Sequence, residues 1–275
     1  MKKIVSLFAV LLILASCAEK FDRSKIDKLD NMYANNNIMS TTVIKYNYKN
    51  GVLDSINGKV LNITEYGLRG NLTYYEDREK NEFQKNSFKG TIMTESDIYS
   101  ISDSTLKHKI KYSYKDNIVT DSYFDKEGKP LKKYVHYLNQ AENDTLYEEY
   151  SKDDKLAMKS INKYDSIGPK FMRVIDIETP QANYTLERIN NSTSKYHYTY
   201  LQKDINDSIQ MKDSAVYNTF GKMAEHIRTM YRKDQNIHTH IKYNYLTEDG
   251  LIDNMVFYNE EGQPLFVHQY KYEKY

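Results

Sequence analysis

Two histidines one residue apart, His238-Thr239-His240, are the closest this sequence comes to a metal half-site. On a strand, alternate residues share a face, so both imidazoles would stand together and offer nitrogen to zinc or copper. Completing such a site takes ligands from neighbouring strands, and nothing in the sequence nominates them. Exposed polar histidines on a strand face are therefore the better reading, and no cofactor is expected. Glu148-Glu149 and Asp153-Asp154 are adjacent acids, which on a strand point to opposite faces and form no acid–base dyad. The chain has no Gly-x-Ser-x-Gly elbow, no phosphate-binding glycine loop and no His-Glu-x-x-His pair. Its single cysteine, Cys17, lies near the N-terminus, so neither thiol catalysis nor a disulfide is available to the rest of the chain. The expectation is a protein that is not an enzyme.

What the chain has in quantity is tyrosine: 27 Tyr against 9 Phe and no Trp. Tyrosine is an apolar plate with a polar tip, suited to a surface that is wet along one edge. The residues recur as Lys-Tyr-x-Tyr at Lys45-Tyr46-Asn47-Tyr48, Lys111-Tyr112-Ser113-Tyr114, Lys195-Tyr196-His197-Tyr198 and Lys242-Tyr243-Asn244-Tyr245. Period-two alternation puts both tyrosines of each copy on one face and the lysine on the other. Tyr112, Tyr114, Tyr196, Tyr198, Tyr243 and Tyr245 are thus the candidate binding residues, a stripe on which a ligand ring could stack. A packing face between successive hairpins is the competing reading, and aromatic stripes more often have that role.

The elements that would carry these stripes are set by a second repeat, an aromatic followed by Asp or Asn, two free positions and Gly. Its copies are Phe124-Asp125-Lys126-Glu127-Gly128, Tyr164-Asp165-Ser166-Ile167-Gly168, Tyr217-Asn218-Thr219-Phe220-Gly221 and Tyr258-Asn259-Glu260-Glu261-Gly262. Asp or Asn opens a type I turn by bonding the backbone ahead of it, and Gly closes it where φ turns positive. That combination is the hairpin loop with a G1 bulge. The repeat predicts turns at Asp125/Gly128, Asp165/Gly168, Asn218/Gly221 and Asn259/Gly262. The turn glycines lie about 40–50 residues apart, room for two hairpins per unit, as in stacked supersecondary units. Strand text starts at Thr41, turns at Lys49-Asn50-Gly51, and meets a second tight-turn dipeptide at Asn57-Gly58. The charged stretch from Glu76 to Lys89 reads as a long hairpin tip.

At the N-terminus, Lys2 and Lys3 precede an apolar run from Ile4 to Leu14, too short to span a bilayer, then Ala15 and Ser16. Leu14-Ala15-Ser16-Cys17 resembles the lipobox of bacterial lipoproteins, which implies cleavage before Cys17 and acylation of that residue. Several acyl chains would give a stable anchor where one binds only marginally. The chain then divides into a signal peptide at 1–16, a lipidated cysteine and polar tether at 17–40, with a short helical turn around Ser24–Tyr33, and a β domain at 41–275. A net charge of +1 over 275 residues argues against nucleic acid as a partner.

The tyrosine-flanked Asp/Asn-x-x-Gly pentads resemble the YD repeats (RHS-like) of bacterial surface and secreted proteins, and the short lipoproteins of Bacteroidota type that carry degenerate copies. The resemblance implies an all-β fold: successive antiparallel hairpins forming an extended, curved, repeat-like sheet. Irregular repeat spacing and the absence of Arg after the repeat glycines point away from a closed shell and towards a short open sheet. The expected setting is the bacterial cell envelope, anchored by lipid on Cys17, most simply at the outer membrane. There the chain would serve as a binding scaffold for an envelope or surface protein, or bind glycan or peptidoglycan through its tyrosine ladders. A hydrolase assembled across strands ranks below both.

Overall fold

The computed structural model describes residues 32–139, 144–164, 172–178, 183–190, 197–203, 208–232, 235–248 and 250–275. A single helical turn, α1 (Met32–Asn35), leads into strand β1 (Ile38–Lys49). β1 therefore begins three residues ahead of Thr41, the expected start. Every element after it is a strand: β2 (Val52–Leu53), β3 (Lys59–Tyr66), β4 (Leu72–Asp77), β5 (Glu82–Lys89), β6 (Ile92–Ser100), β7 (Leu106–Lys115), β8 (Ile118–Asp125), β9 (Pro130–Leu138), β10 (Asp144–Ser151), β11 (Leu156–Tyr164), β12 (Met172–Glu178), β13 (Asn183–Asn190), β14 (His197–Lys203), β15 (Ile209–Tyr217), β16 (Met223–Met230), β17 (Ile237–Tyr245), β18 (Ile252–Tyr258) and β19 (Pro264–Lys274). The stretch 76–89 is not a hairpin tip. It is the end of β4, a short turn and the whole of β5.

From β3 to β19 each strand pairs antiparallel with the next in sequence. β1 then pairs on one side with β3 (Thr41 opposite Thr64) and on the other with β19 (Thr41 opposite Tyr272). The hairpin series is the expected one, but its two ends meet at β1, so the ladder runs full circle rather than ending in two free edges. β2 stands apart, pairing only with the end of β1. A sheet that curls onto itself has one concave face, and burial identifies it. Following the register from strand to strand, Thr41, Asp77, Ser96, Ile98, Ile110, Val119, Asp213 and Ala215 share one face, and all are buried. The opposite, convex face carries charge: Lys109 sits 3.3 Å from Glu95 and 2.9 Å from Asp97, and Lys242 3.6 Å from Glu225.

The turns follow the repeat. At Gly128, Gly221 and Gly262 φ is 83°, 74° and 76°. In each turn the glycine N–H donates to the carbonyl of the opening residue, at 3.0 Å to Asp125, 3.0 Å to Asn218 and 3.1 Å to Asn259. The opening side chain then accepts from the backbone N–H after the glycine: Lys129 at 2.7 Å, Lys222 at 2.9 Å and Gln263 at 2.7 Å. Asp165 and Gly168 lie outside the described residues. A further copy has no glycine: Tyr150-Ser151-Lys152-Asp153-Asp154 makes the same loop, with Asp154 N–H donating to the Ser151 carbonyl at 3.0 Å and Asp154 at φ 60°. Asp153-Asp154 is thus a hairpin tip.

Asn50 and Gly51 take the positive φ of a tight turn, whereas Gly58 does not. Gly58 is there for space: a Cβ on it would fall 2.4 Å from Cε1 of Tyr46 and 2.7 Å from Cγ2 of Ile44. Asn57-Gly58 is therefore part of a loop folded close over Tyr46. Asp54 fastens that loop, accepting from Lys49 Nζ at 2.7 Å and from the Asn57 backbone at 3.2 Å, and these donors hold its carboxyl well below the usual range. One end of the ring is plugged by an apolar cluster of Ile38, Tyr66 and Leu251 with Met32, Tyr33, Leu72 and Tyr272 against it. Tyr33 stacks on Tyr66 at 4.0 Å between ring centroids.

Candidate functional site

The Lys-Tyr-x-Tyr strands place their tyrosines by alternation. On β7, Tyr112 and Tyr114 share the concave face with Ile110, while Lys111 and Ser113 are exposed. On β17, Tyr243 and Tyr245 are half-buried, and Lys242 and Asn244 are exposed. The copy on β1 is inverted. Tyr46 pairs with Val267 on the convex side, while Lys45 lies on the concave side with its Nζ 4.0 Å over the Phe266 ring. Tyr196 lies outside the described residues, and Tyr198 pairs in the ladder with Ala215.

Tyr112 and Tyr114 wall a recess of about 440 Å³ on the concave face. Its apolar lining is Met93, Val119 and Leu138, and its charged side is Asp121, His136 and Asp144. Three strands bring that side together: Asp121 stands opposite Tyr134 in the β8–β9 ladder, His136 opposite Tyr147, and Asp144 opposite Leu138. His136 Nδ1 is 3.1 Å from Asp144 Oδ2, and Nε2 is 3.7 Å from Asp121 Oδ2. Asp121 and Asp144 raise the imidazole to a pKa of about 9, so it is an imidazolium at neutral pH. Around it burial pushes the phenols up: Tyr112, Tyr147, and Tyr123 to about 12. Tyr112 is positioned by Ser96, which is fully buried and whose Oγ is 3.2 Å from the phenol oxygen. A smaller recess of about 210 Å³ lies beside it, lined by Tyr75, Gln84, Ile98, His108, Ile110 and Tyr123 among others; burial holds His108 below its ordinary pKa.

A second ionic group occupies the concave face of β15 and β16. Asp213, 7% exposed, accepts from Arg228 Nη2 at 2.6 Å and Nε at 2.9 Å and is in contact with His226. Its carboxyl is depressed by the bonds from His226 and Arg228, which outweigh the opposing effect of burial. Here every strong partner is already in place. Tyr245 is likewise committed, its hydroxyl donating to the Met223 carbonyl at 2.7 Å.

His238 and His240 lie on the convex side. His238 Nδ1 is 3.2 Å from Thr229 Oγ1, and His240 Nε2 is 2.7 Å from Glu225 Oε1, so each ring has its own polar neighbour. Among the described residues no group of three or more ligating side chains is placed to hold a metal. Neither Asp121, Asp144 nor Asp213 stands out in the sequence, because each acquires its partners only through strand register.

No family model matches this chain, and no curated protein does. Solved structures that match it do so at low sequence identity. A porin-like protein from Bacteroides uniformis aligns with 11% identity over 86% of this chain and 96% of its own, with a TM-score of 0.46. A porin-like protein from Bacteroides vulgatus covers 86% of this chain and 99% of its own at 11% identity and a TM-score of 0.35. The TcdB2-TccC3-Cdc42 complex matches 78% of this chain with 13% of its own, at 11% identity and a TM-score of 0.31. Among the described residues no helix is long and apolar enough to cross a membrane.

Proposed function

We propose that this chain is a non-enzymatic, lipid-anchored lipoprotein of the bacterial envelope, of degenerate YD-repeat type, tethered to the outer membrane through Cys17. In this reading it binds glycan on its concave tyrosine face. The observation that carries the binding mode is the recess walled by Tyr112 and Tyr114, where aromatic plates stand beside ionised side chains and open to solvent. Sugars are bound by that combination, ring faces for their apolar patches and polar groups for their hydroxyls. The convex face supports an anchored protein over a spanning one. Lysine on the lipid side of a membrane barrel costs about 2–4 kcal/mol at the midplane, and here Lys109, Lys111 and Lys242 stand outward.

A partner protein docking along a sheet edge is the weaker mode, since β1 is paired on both sides. Docking at the hairpin ends has one observation in its favour. Val52, Ile56, Leu131, Leu156 and Leu265, all exposed, lie in or beside the connections on the end of the ring away from Ile38. Binding of the full lipidated chain, in detergent, to an array of envelope glycans and peptidoglycan fragments tests the glycan mode. Retention of a saccharide that Tyr114→Ala abolishes is the expected result. A silent array, with crosslinking at Leu131 capturing one envelope protein instead, would replace it with the partner mode.

A further inference from the structure

We propose that the recess between β7 and β10 receives a primary ammonium group, with Asp121 as its counter-ion, so that the glycan bound there is an amino sugar. This deepens the glycan reading and rests on it for the saccharide, though not for the ammonium. Asp121 is only 20% exposed, yet its carboxylate is short of donors. Oδ1 is buried with no hydrogen-bond partner among the described residues, and Oδ2 has only the ion pair with His136 Nε2, at 3.7 Å. A buried carboxylate left in that state is costly, and the missing donor is the kind of group a ligand supplies.

Charge points the same way. His136 directs Nδ1 at Asp144, at 3.1 Å, so among the described lining residues two carboxylates face one imidazole. Lys132, on the same strand as His136, is seated over two rings: its Nζ lies 4.9 Å from the Tyr123 ring centroid and 4.6 Å from that of Tyr134. Tyr112 and Tyr114 complete the recess with aromatic walls, which attract a cation and have nothing comparable for a neutral hydroxyl. The Asp213 group provides the contrast, with a guanidinium already seated on its carboxylate.

The test is calorimetric titration of the full chain at pH 7 and 150 mM salt with three tetrasaccharides: glucosamine tetramer, its N-acetylated form and cellotetraose. Butylammonium, a cation without sugar, is added in parallel while the side-chain resonances of Asp121 and His136 are followed. The expected result is about tenfold tighter binding of the glucosamine tetramer, in line with one added charged hydrogen bond. That preference should fall below about twofold in Asp121→Asn, which keeps the side-chain shape, with a single cooperative melt as the check on folding. Equal affinity for charged and neutral tetramers, or a preference that survives Asp121→Asn, overturns the ammonium site while leaving the glycan reading in place. Butylammonium shifting Asp121 and His136 with all three tetramers silent supports the site and overturns the glycan reading. Silence in every arm, including butylammonium, overturns both.

Discussion

His136 should make this protein less stable as the solution turns mildly alkaline. In the fold its pKa is about 9 against 6.5 for the free side chain, because Asp121 and Asp144 hold the proton on. A raised pKa stabilises the fold fully below 6.5, where both states carry the proton, and the gain fades as pH climbs through 9 and the folded imidazolium finally loses it. At about 1.4 kcal/mol per pKa unit the whole effect is capped near ~3 kcal/mol, and the 24% exposure of the imidazole brings it to about 2 kcal/mol. For a domain of this size that is a loss of about 4–8 °C in Tm between pH 6.5 and 9.5. The phenols facing the ring, Tyr112, Tyr123 and Tyr147, have raised pKa values and stay neutral across that window. Thermal melts at half-unit pH steps, run on the wild type and on His136→Gln, measure it. The variant should lie lower at pH 6.5 and show a flat curve up to pH 9.5, and the His136 Cε1 proton should titrate near pH 9. An unchanged alkaline slope in His136→Gln, or a ring that titrates near 6.5, would refute the reasoning.

Other perturbations test other parts of the fold. His268 is pushed down to about 4 by burial and by Lys45, so stability should fall as pH drops from 6.5 towards 4, and His268→Phe should flatten that acid limb in the same melts. Gly262→Ala, at φ 76°, should cost about 1–2 kcal/mol in urea unfolding, while Asp154→Gly, which relieves a left-handed residue, should gain up to about 1 kcal/mol. Gly58→Ala should cost about 1–3 kcal/mol, because the new methyl meets Tyr46 at 2.4 Å. Asp213→Ala leaves Arg228 and His226 facing each other without their carboxylate, and should destabilise by about 2–3 kcal/mol on the same urea curve.

The features legible in the sequence were those settled within a few residues. The turn at Asp125–Gly128 is written in its own five positions, and the inward Tyr112 and Tyr114 follow from a two-residue period. Reading by pattern fails where the same geometry is reached by other residues. Ser151–Asp154 builds the loop with a strained aspartate where glycine is expected, and Gly58 answers to a neighbouring ring instead of a turn. The charged side of the recess was out of reach for a different reason. Asp121, His136 and Asp144 come from three strands, and a shift of one residue in either pairing would turn one of them to the far face. The meeting of β3 and β19 at β1 is written nowhere locally, since it joins residues as far apart as Ser40 and Glu273.

That junction has a consequence for how the chain reaches its final shape. Among the described strands β1 is synthesised first, yet one of its sides has no neighbour until β19 is complete. Contacts of such long sequence separation form slowly, so the closing seam should be the late step, preceded by an intermediate with two bare strand edges. A nascent or truncated chain missing Pro264–Lys274 would keep those edges, exposed to pairing between molecules. Synthesis of β19 thus decides between a sealed ring and an aggregation-prone ribbon.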